Sequence, residues 1–151
     1  MEWTNLIKVL NTIGEEAELE YKEKIKNGAY ATGKLYNSID YKVKIVNGKI
    51  TLSFDNLPDY YLNVEKGRKA GASMPPINVI EKWMVSKNIP NKPGTAFLIA
   101  RSIGEKGIKA KPYLRDIKLK IKQNYTDDLQ KALALDLNEQ IKETLNGNIN
   151  K

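Results

Sequence analysis

The sequence predicts an α+β fold: a small antiparallel sheet flanked by helices, with long amphipathic helices at the N-terminal and C-terminal ends. Three patterns carry the prediction. Trp3, Leu6, Ile7, Leu10, Ile13, Ala17, Tyr21 and Ile25 keep to one side of a 3.6-residue period, with Glu and Lys elsewhere. Ile39, Tyr41, Val43 and Ile45, then Ile50, Leu52 and Phe54, alternate with polar residues on either side of Asn47-Gly48. Leu129, Leu133, Leu137, Ile141 and Leu145 recur at every fourth position.

In chain order, the first helix runs from Trp3 to about Lys26 and is stopped by Gly28 and the "ATG" turn. "GKLYNSI" predicts a single helical turn. The alternating pair that follows is a hairpin with a type I′ turn, because Asn and Gly tolerate its positive φ values. "YYLNVE", flanked by the Pro58-Asp59 turn, reads as a third strand. The loop "KGRKAGASM" has two glycines and no apolar anchor before Met74, and is expected to be exposed and mobile. Pro75-Pro76 suit the first turn of a helix whose apolar face is Ile77, Ile80, Trp83 and Met84. "NIPNKPGT" ends that helix, and Thr95 is placed to cap the next, "AFLIARSIG". Being apolar on most sides, this helix is expected to be buried, with Gly104 and Gly107 ending it. "IKAKP" is extended, since a residue before proline avoids helical angles.

Beyond Pro112 two readings stand. Ile117, Leu119 and Ile121 alternate with lysines as in a strand, while Leu114, Ile117, Ile121, Tyr125 and Leu129 share a helical face; helix is preferred. The whole reads as a single domain, 1–151: an N-terminal helix over 1–27, a sheet-and-helix core over 30–112, a C-terminal helix over 113–146 and a frayed tail over 147–151. No internal repeat and no second domain stand out.

Composition excludes more than it selects. Among 151 residues there is no cysteine and no histidine, which removes thiolate chemistry, disulfides and the commonest general base and zinc ligand. No cofactor, metal site or catalytic residue is assigned, and the chain is not expected to be an enzyme. Glu2 stands where a secretory leader carries positive charge, and no apolar run approaches the roughly 20 residues of a membrane span. The expected location is therefore intracellular at synthesis. "GRKAGAS" has the glycines of a phosphate loop at the wrong spacing, with Ala72 where the lysine belongs. Asp127-Asp128 and Glu15, Glu16, Glu18 and Glu20 read as helix-dipole compensation and solvated faces. Ser86 and Lys87 are adjacent on a helix and face different directions.

The net charge of +7 directs attention to the cations. From Lys106 to Lys122 the chain carries Lys106, Lys109, Lys111, Arg115, Lys118, Lys120 and Lys122 against Asp116, and Lys66, Arg68 and Lys69 form a second basic point. The ordinary account is a solvated face. The functional account is sequence-independent phosphate contact, with Lys66, Arg68, Lys69, Lys118, Lys120 and Lys122 as candidates. Trp83 and Met84 read as core or subunit contact.

Taken in succession, "TGKLYNSI", a hairpin, "YYLNVEKGRKAG", "MPPINVIEKWMVSKNI", "AFLIARSIGEKGIKAKPYL" and a final amphipathic helix resemble the head-tail joining and tail-completion family of tailed bacteriophages, often described as neck or morphogenesis proteins. The resemblance covers roughly residues 30 to 145. It implies a virion structural protein, assembled in the host cytoplasm into a ring at the head-tail junction. Double-stranded DNA passes through that ring on its way out of the head, and the portal and other neck or tail proteins are its neighbours. The pattern usually has an aromatic residue where this chain has Lys66, and phenylalanine where it has Tyr113.

Ring closure needs two complementary patches per subunit. Gly67, Arg68, Lys69, Gly71, Met74 and Trp83 are the candidates for subunit contact, with the 67–73 loop as a flexible connector arm. A chain lacking residues 68–73 is expected to fold yet fail to assemble. Two alternatives remain: a sequence-independent nucleic-acid-binding module, and a tail-terminator or minor tail subunit.

Overall fold

A computed structural model describes residues 3–29 and 32–149. The architecture is α+β with a small sheet: among the described residues there are six helices and one two-stranded antiparallel sheet. The order is α1 (Thr4–Gly28), α2 (Lys34–Ser38), β1 (Tyr41–Val46), β2 (Lys49–Phe54), α3 (Tyr61–Lys66), α4 (Ile77–Ser86), α5 (Thr95–Lys106) and α6 (Tyr113–Ile149). The chain divides into two compact units. One gathers Met1–Glu20, Asp40–Asp55 and Asp116–Lys151; the other gathers Tyr21–Ile39 and Asn56–Arg115.

In the first unit α1 and α6 lie side by side and antiparallel. The contacts step in opposite senses along the two helices: Asn5 meets Asp136, the Tyr125 hydroxyl donates to Glu16, and Lys120 donates to Glu20 at 2.6 Å. Ile13 and Ala17 of α1, and Ile117 and Ala132 of α6, are buried. The hairpin is anchored to α1 through Tyr41, whose amide donates to Glu18 at 3.3 Å and whose ring lies over Gly14. A Cβ on Gly14 would come within 2.2 Å of that ring, so the missing side chain is what lets the strand approach. β1 and β2 pair from Tyr41↔Phe54 to Val46↔Lys49 around Asn47 (φ 51°) and Gly48 (φ 75°), the type I′ turn the sequence predicts.

Asp136 is the one buried charged side chain of this unit among the described residues, at 1 % exposure. Its carboxylate accepts from the amides of Asn5 and Leu6, both at 2.9 Å, and from the Asn5 side chain at 2.8 Å. It thus caps the first turn of α1, where amides have no intrahelical acceptor, from 131 positions away. Desolvation pushes its carboxyl upward, but the hydrogen bonds outweigh it and hold the group below the usual carboxylate range.

In the second unit α4 and α5 form a tight pair. Ala96 and Ala100 present small side chains at helical spacing to Ile80 and Met84, with Ile89, Ile99 and Ile103 around them. Tyr21, Ile25, Leu35 and Ile39 are also buried in this unit. Burial, then the charges of Glu65 and Tyr61, hold the Tyr21 hydroxyl well above its ordinary range.

Several expectations are corrected. Residues 61–66 are α3, not a third strand: amides of Tyr61, Leu62 and Asn63 bond back to carbonyls of Pro58, Asp59 and Tyr60, so the Pro58-Asp59 turn winds onward into a helix. The aromatic and β-branched content that suggests a strand is overridden by this start and by half-burial of Tyr61, Val64 and Glu65 at helical spacing. Gly94 (φ 82°), not Thr95, caps α5. That helix buries Ala96, Ala100 and Gly104 but leaves Phe97 and Leu98 exposed, and Gly104 lies inside it while Gly107 ends it. Helix is the outcome over 114–122, and α6 continues past Leu145 to Ile149. Asn150 and Lys151, the rest of the expected frayed tail, lie outside the described residues.

Candidate functional site

The second unit contains a short internal repeat, where none was expected. Glu65-Lys66-Gly67-Arg68-Lys69-Ala70 and Glu105-Lys106-Gly107-Ile108-Lys109-Ala110 differ at one position in six. Each copy closes a helix, α3 at Lys66 and α5 at Lys106, and each passes through glycine in a conformation side chains disfavour: φ 66°, ψ −160° at Gly67 and φ 74°, ψ −169° at Gly107.

The two copies then pair with one another. Arg68 and Ile108 exchange amide-to-carbonyl bonds, both at 2.9 Å. The Lys111 amide donates to Val64 at 2.8 Å, and Gly71, which holds the same place in the other copy, donates to Gly104 at 2.8 Å. Four bonds thus form a local two-fold arrangement in which each copy gives what it receives. The glycines are integral to it. A Cβ on Gly67 would meet the Ile108 carbonyl oxygen at 2.3 Å, and one on Gly107 would meet that of Arg68 at 2.3 Å. We refer to this paired structure as the clasp.

Around the clasp, the residues 64–71 and 104–111 carry six cations and two carboxylates. Both carboxylates are engaged: Glu65 accepts from the Leu114 amide at 2.9 Å and so caps the start of α6, and Glu105 pairs with Arg101 at 2.8 Å. Of the cations, Lys111 donates to the Gly28 carbonyl, and the Arg68 guanidinium donates to the Ser73 carbonyl. The Arg68 Nε is enclosed without a hydrogen-bond partner among the described residues. Lys66, Lys69, Lys106 and Lys109 are exposed.

The candidates from sequence distribute as follows. Lys66, Gly67, Arg68, Lys69 and Gly71 are all parts of the clasp. The expected free arm is not free: Arg68 and Gly71 are bonded to the segment after α5 and to α5 itself, and Met74 lies against Gly104. Its anchor is a backbone ladder, which no apolar residue announces. Met74 and Trp83 are partly exposed. Lys118, Lys120 and Lys122 belong to the first unit and do not act together. In a helix a step of two residues turns by about 200°, so Lys120 faces Glu20 while Lys118 and Lys122 take another side. Its partner raises the affinity of Lys120 for its proton, first by hydrogen bonding and then by charge. Sequence reasoning missed the pairing of Lys106 and Lys109 with the first basic point; the repeated "EKGxKA" is the signal that finds them.

Elsewhere, among the described residues, open grooves line the first unit. One of about 530 Å³ is lined by Ile7, Asn11 and residues 40–45, and one of about 400 Å³ by α1 and α6 residues including Tyr125, Asp128 and Lys131. Among the described residues no group of three or more His, Cys, Asp or Glu is placed to hold a metal ion, and no helix is long and apolar enough to cross a membrane. No family model, curated protein or solved structure matches the chain.

Proposed function

We propose that the chain is a structural subunit of a tailed-bacteriophage virion, one copy in an oligomeric ring at the head-tail junction through which double-stranded DNA passes. The observation that carries this reading is the amount of large apolar side chain left outside both units. Trp83, Val85, Phe97 and Leu98 are exposed on α4 and α5, and Leu133, Leu137, Ile141 and Leu145 on α6. Large apolar side chains left in water in such number suit protein-protein contact. The hairpin adds to it, since the sheet has no third strand among the described residues and its strands have outer edges able to take a neighbour's segment. The succession of sequence segments supplies the class of assembly; the exposed surfaces supply the reason to assemble. On this reading its work is done by surfaces rather than by a reactive pocket, in the virion, after assembly in the host cytoplasm, beside the portal and other neck or tail proteins.

The test is native mass and negative-stain imaging of the purified chain, alone and with a candidate portal. A closed ring, or recruitment to one, supports the reading. A monomer that joins no portal and is missing from purified particles overturns it. The second reading, a sequence-independent nucleic-acid-binding module, is favoured by the cations of the clasp; it predicts that a solitary chain binds duplex DNA with a steep dependence on salt.

A further inference from the structure

We propose that the basic clasp is a contact surface for the phosphodiester backbone of double-stranded DNA, with Lys69 and Lys109 as its principal groups and Lys66, Arg68 and Lys106 beside them. The proposal deepens the ring reading, on which the identity of the polymer as DNA rests; the charge argument for a phosphodiester chain stands on the clasp alone.

The fold accounts for some of these cations and not for others. Lys66 and Lys106 end α3 and α5, where a cation is favoured by the helix dipole, so the fold itself accounts for them. Lys69 and Lys109 lie beyond those helices at matching positions of the repeat and make no ion pair among the described residues. Arg68 precedes Lys69 in the chain, its guanidinium bonded to a neutral carbonyl rather than a carboxylate. The two glutamates of the repeat are turned to capping α6 and to pairing with Arg101. What remains is a concentration of positive charge held together by a rigid four-bond ladder. Its mutual repulsion is relieved by an anion from outside.

The form of the clasp selects the kind of anion. The four amides of the ladder itself, those of Arg68, Gly71, Ile108 and Lys111, are engaged within it and give nothing to an anion. The exposed groups around it are long side chains that act as point charges, Lys66 with Lys106 and Lys69 with Lys109, at matching positions of the repeat. This suits a polymer with charges at regular intervals and carries no base readout. A folded protein partner needs an apolar centre to its footprint, and the clasp offers little beyond the side chain of Ile108. Contacts of this type are weak singly and exchange readily, which permits the polymer to slide.

The experiment is fluorescence anisotropy of a 30-base-pair duplex of arbitrary sequence titrated with the full chain, at several salt concentrations between about 50 and 200 mM. The double variant Lys69→Glu, Lys109→Glu is compared with Lys118→Glu, Lys122→Glu, which changes the same charge in the other unit. All four side chains are exposed, and unchanged circular dichroism and Tm establish that both variants fold. The expected result is that the clasp variant binds at least about tenfold more weakly, with a log-log salt slope shallower by about 2, while the other variant retains the wild-type slope. Equal loss in both variants, no loss in the clasp variant, or no binding by wild type at the lowest salt overturns the proposal. Tighter binding to polyglutamate than to the duplex also overturns it, in favour of an acidic protein partner. Native mass is read separately. Rings that form but do not bind through the clasp sink this inference alone; monomers that bind through it sink the ring and leave the clasp standing.

Discussion

Two residues in this chain are held by geometry that permits few replacements, and a third carries a titration. In Gly67 and Gly107 a positive φ coincides with a carbonyl oxygen 2.3 Å from where a Cβ would stand. Changing either to alanine is expected to lower stability by about 3 kcal/mol, seen as a shifted denaturant midpoint. Gly71 also has positive φ (78°) but open space around it, so Gly71→Ala serves as the comparison and costs only about 1 kcal/mol. Asp136→Ala removes three hydrogen bonds and the cap of α1, a loss of about 2 kcal/mol in thermal or chemical unfolding. The pH dependence has a definite sign. Because the folded-state carboxyl is held below its unfolded value, its contribution is complete above about pH 4 and disappears as pH falls through the lowered value. The stability difference between wild type and Asp136→Asn should therefore be flat from about pH 6 to 8 and shrink under acid conditions.

At the scale of elements, what the sequence made legible was whatever repeats at a fixed period over many residues. The N-terminal helix, the hairpin with its Asn47-Gly48 turn and the C-terminal helix all follow from such periods. Short elements did not, because six residues such as Tyr61 to Lys66 satisfy either a strand or a helix until their neighbours decide. The row Leu129, Leu133, Leu137, Ile141, Leu145 is instructive in a different way. A step of four residues overshoots a helical turn by about 40°, so the row winds off the side facing α1. The half-buried and buried positions instead run Leu129, Ala132, Asp136 and Gln140, and from Ile141 to Gly147 every side chain is exposed. A chain ending at Gln140 is accordingly expected to unfold within about 3 °C of the full-length protein, measured by thermal circular dichroism. The clasp was hidden for a simpler reason: a repeat of six residues is too short to register as periodicity, and its meaning lies in one copy bonding the other. Glu65 gains a role here as the cap of α6. Glu65→Ala should cost about 1 kcal/mol in unfolding experiments.

For the whole molecule, the apolar surfaces exposed on α4, α5 and α6 set the expectation that matters most to the ring reading. Leu98 is 63 % and Ile141 56 % exposed, so Leu98→Asp and Ile141→Asp remove apolar area from the outside while leaving each core intact. At least one of these is expected to shift native mass toward the monomer with no change in Tm; if both assemble as wild type does, the subunit contact lies elsewhere. The long-range cap on α1 also bears on how the polypeptide is made. The amides of Asn5 and Leu6 leave the ribosome some 130 positions ahead of their acceptor, an interval of roughly 7 to 26 seconds at ordinary elongation rates. Through that interval the nascent first helix has neither its terminus secured nor its long neighbour alongside. The unit built from three separated stretches must therefore close only once the last of them has emerged, late and through distant pairings.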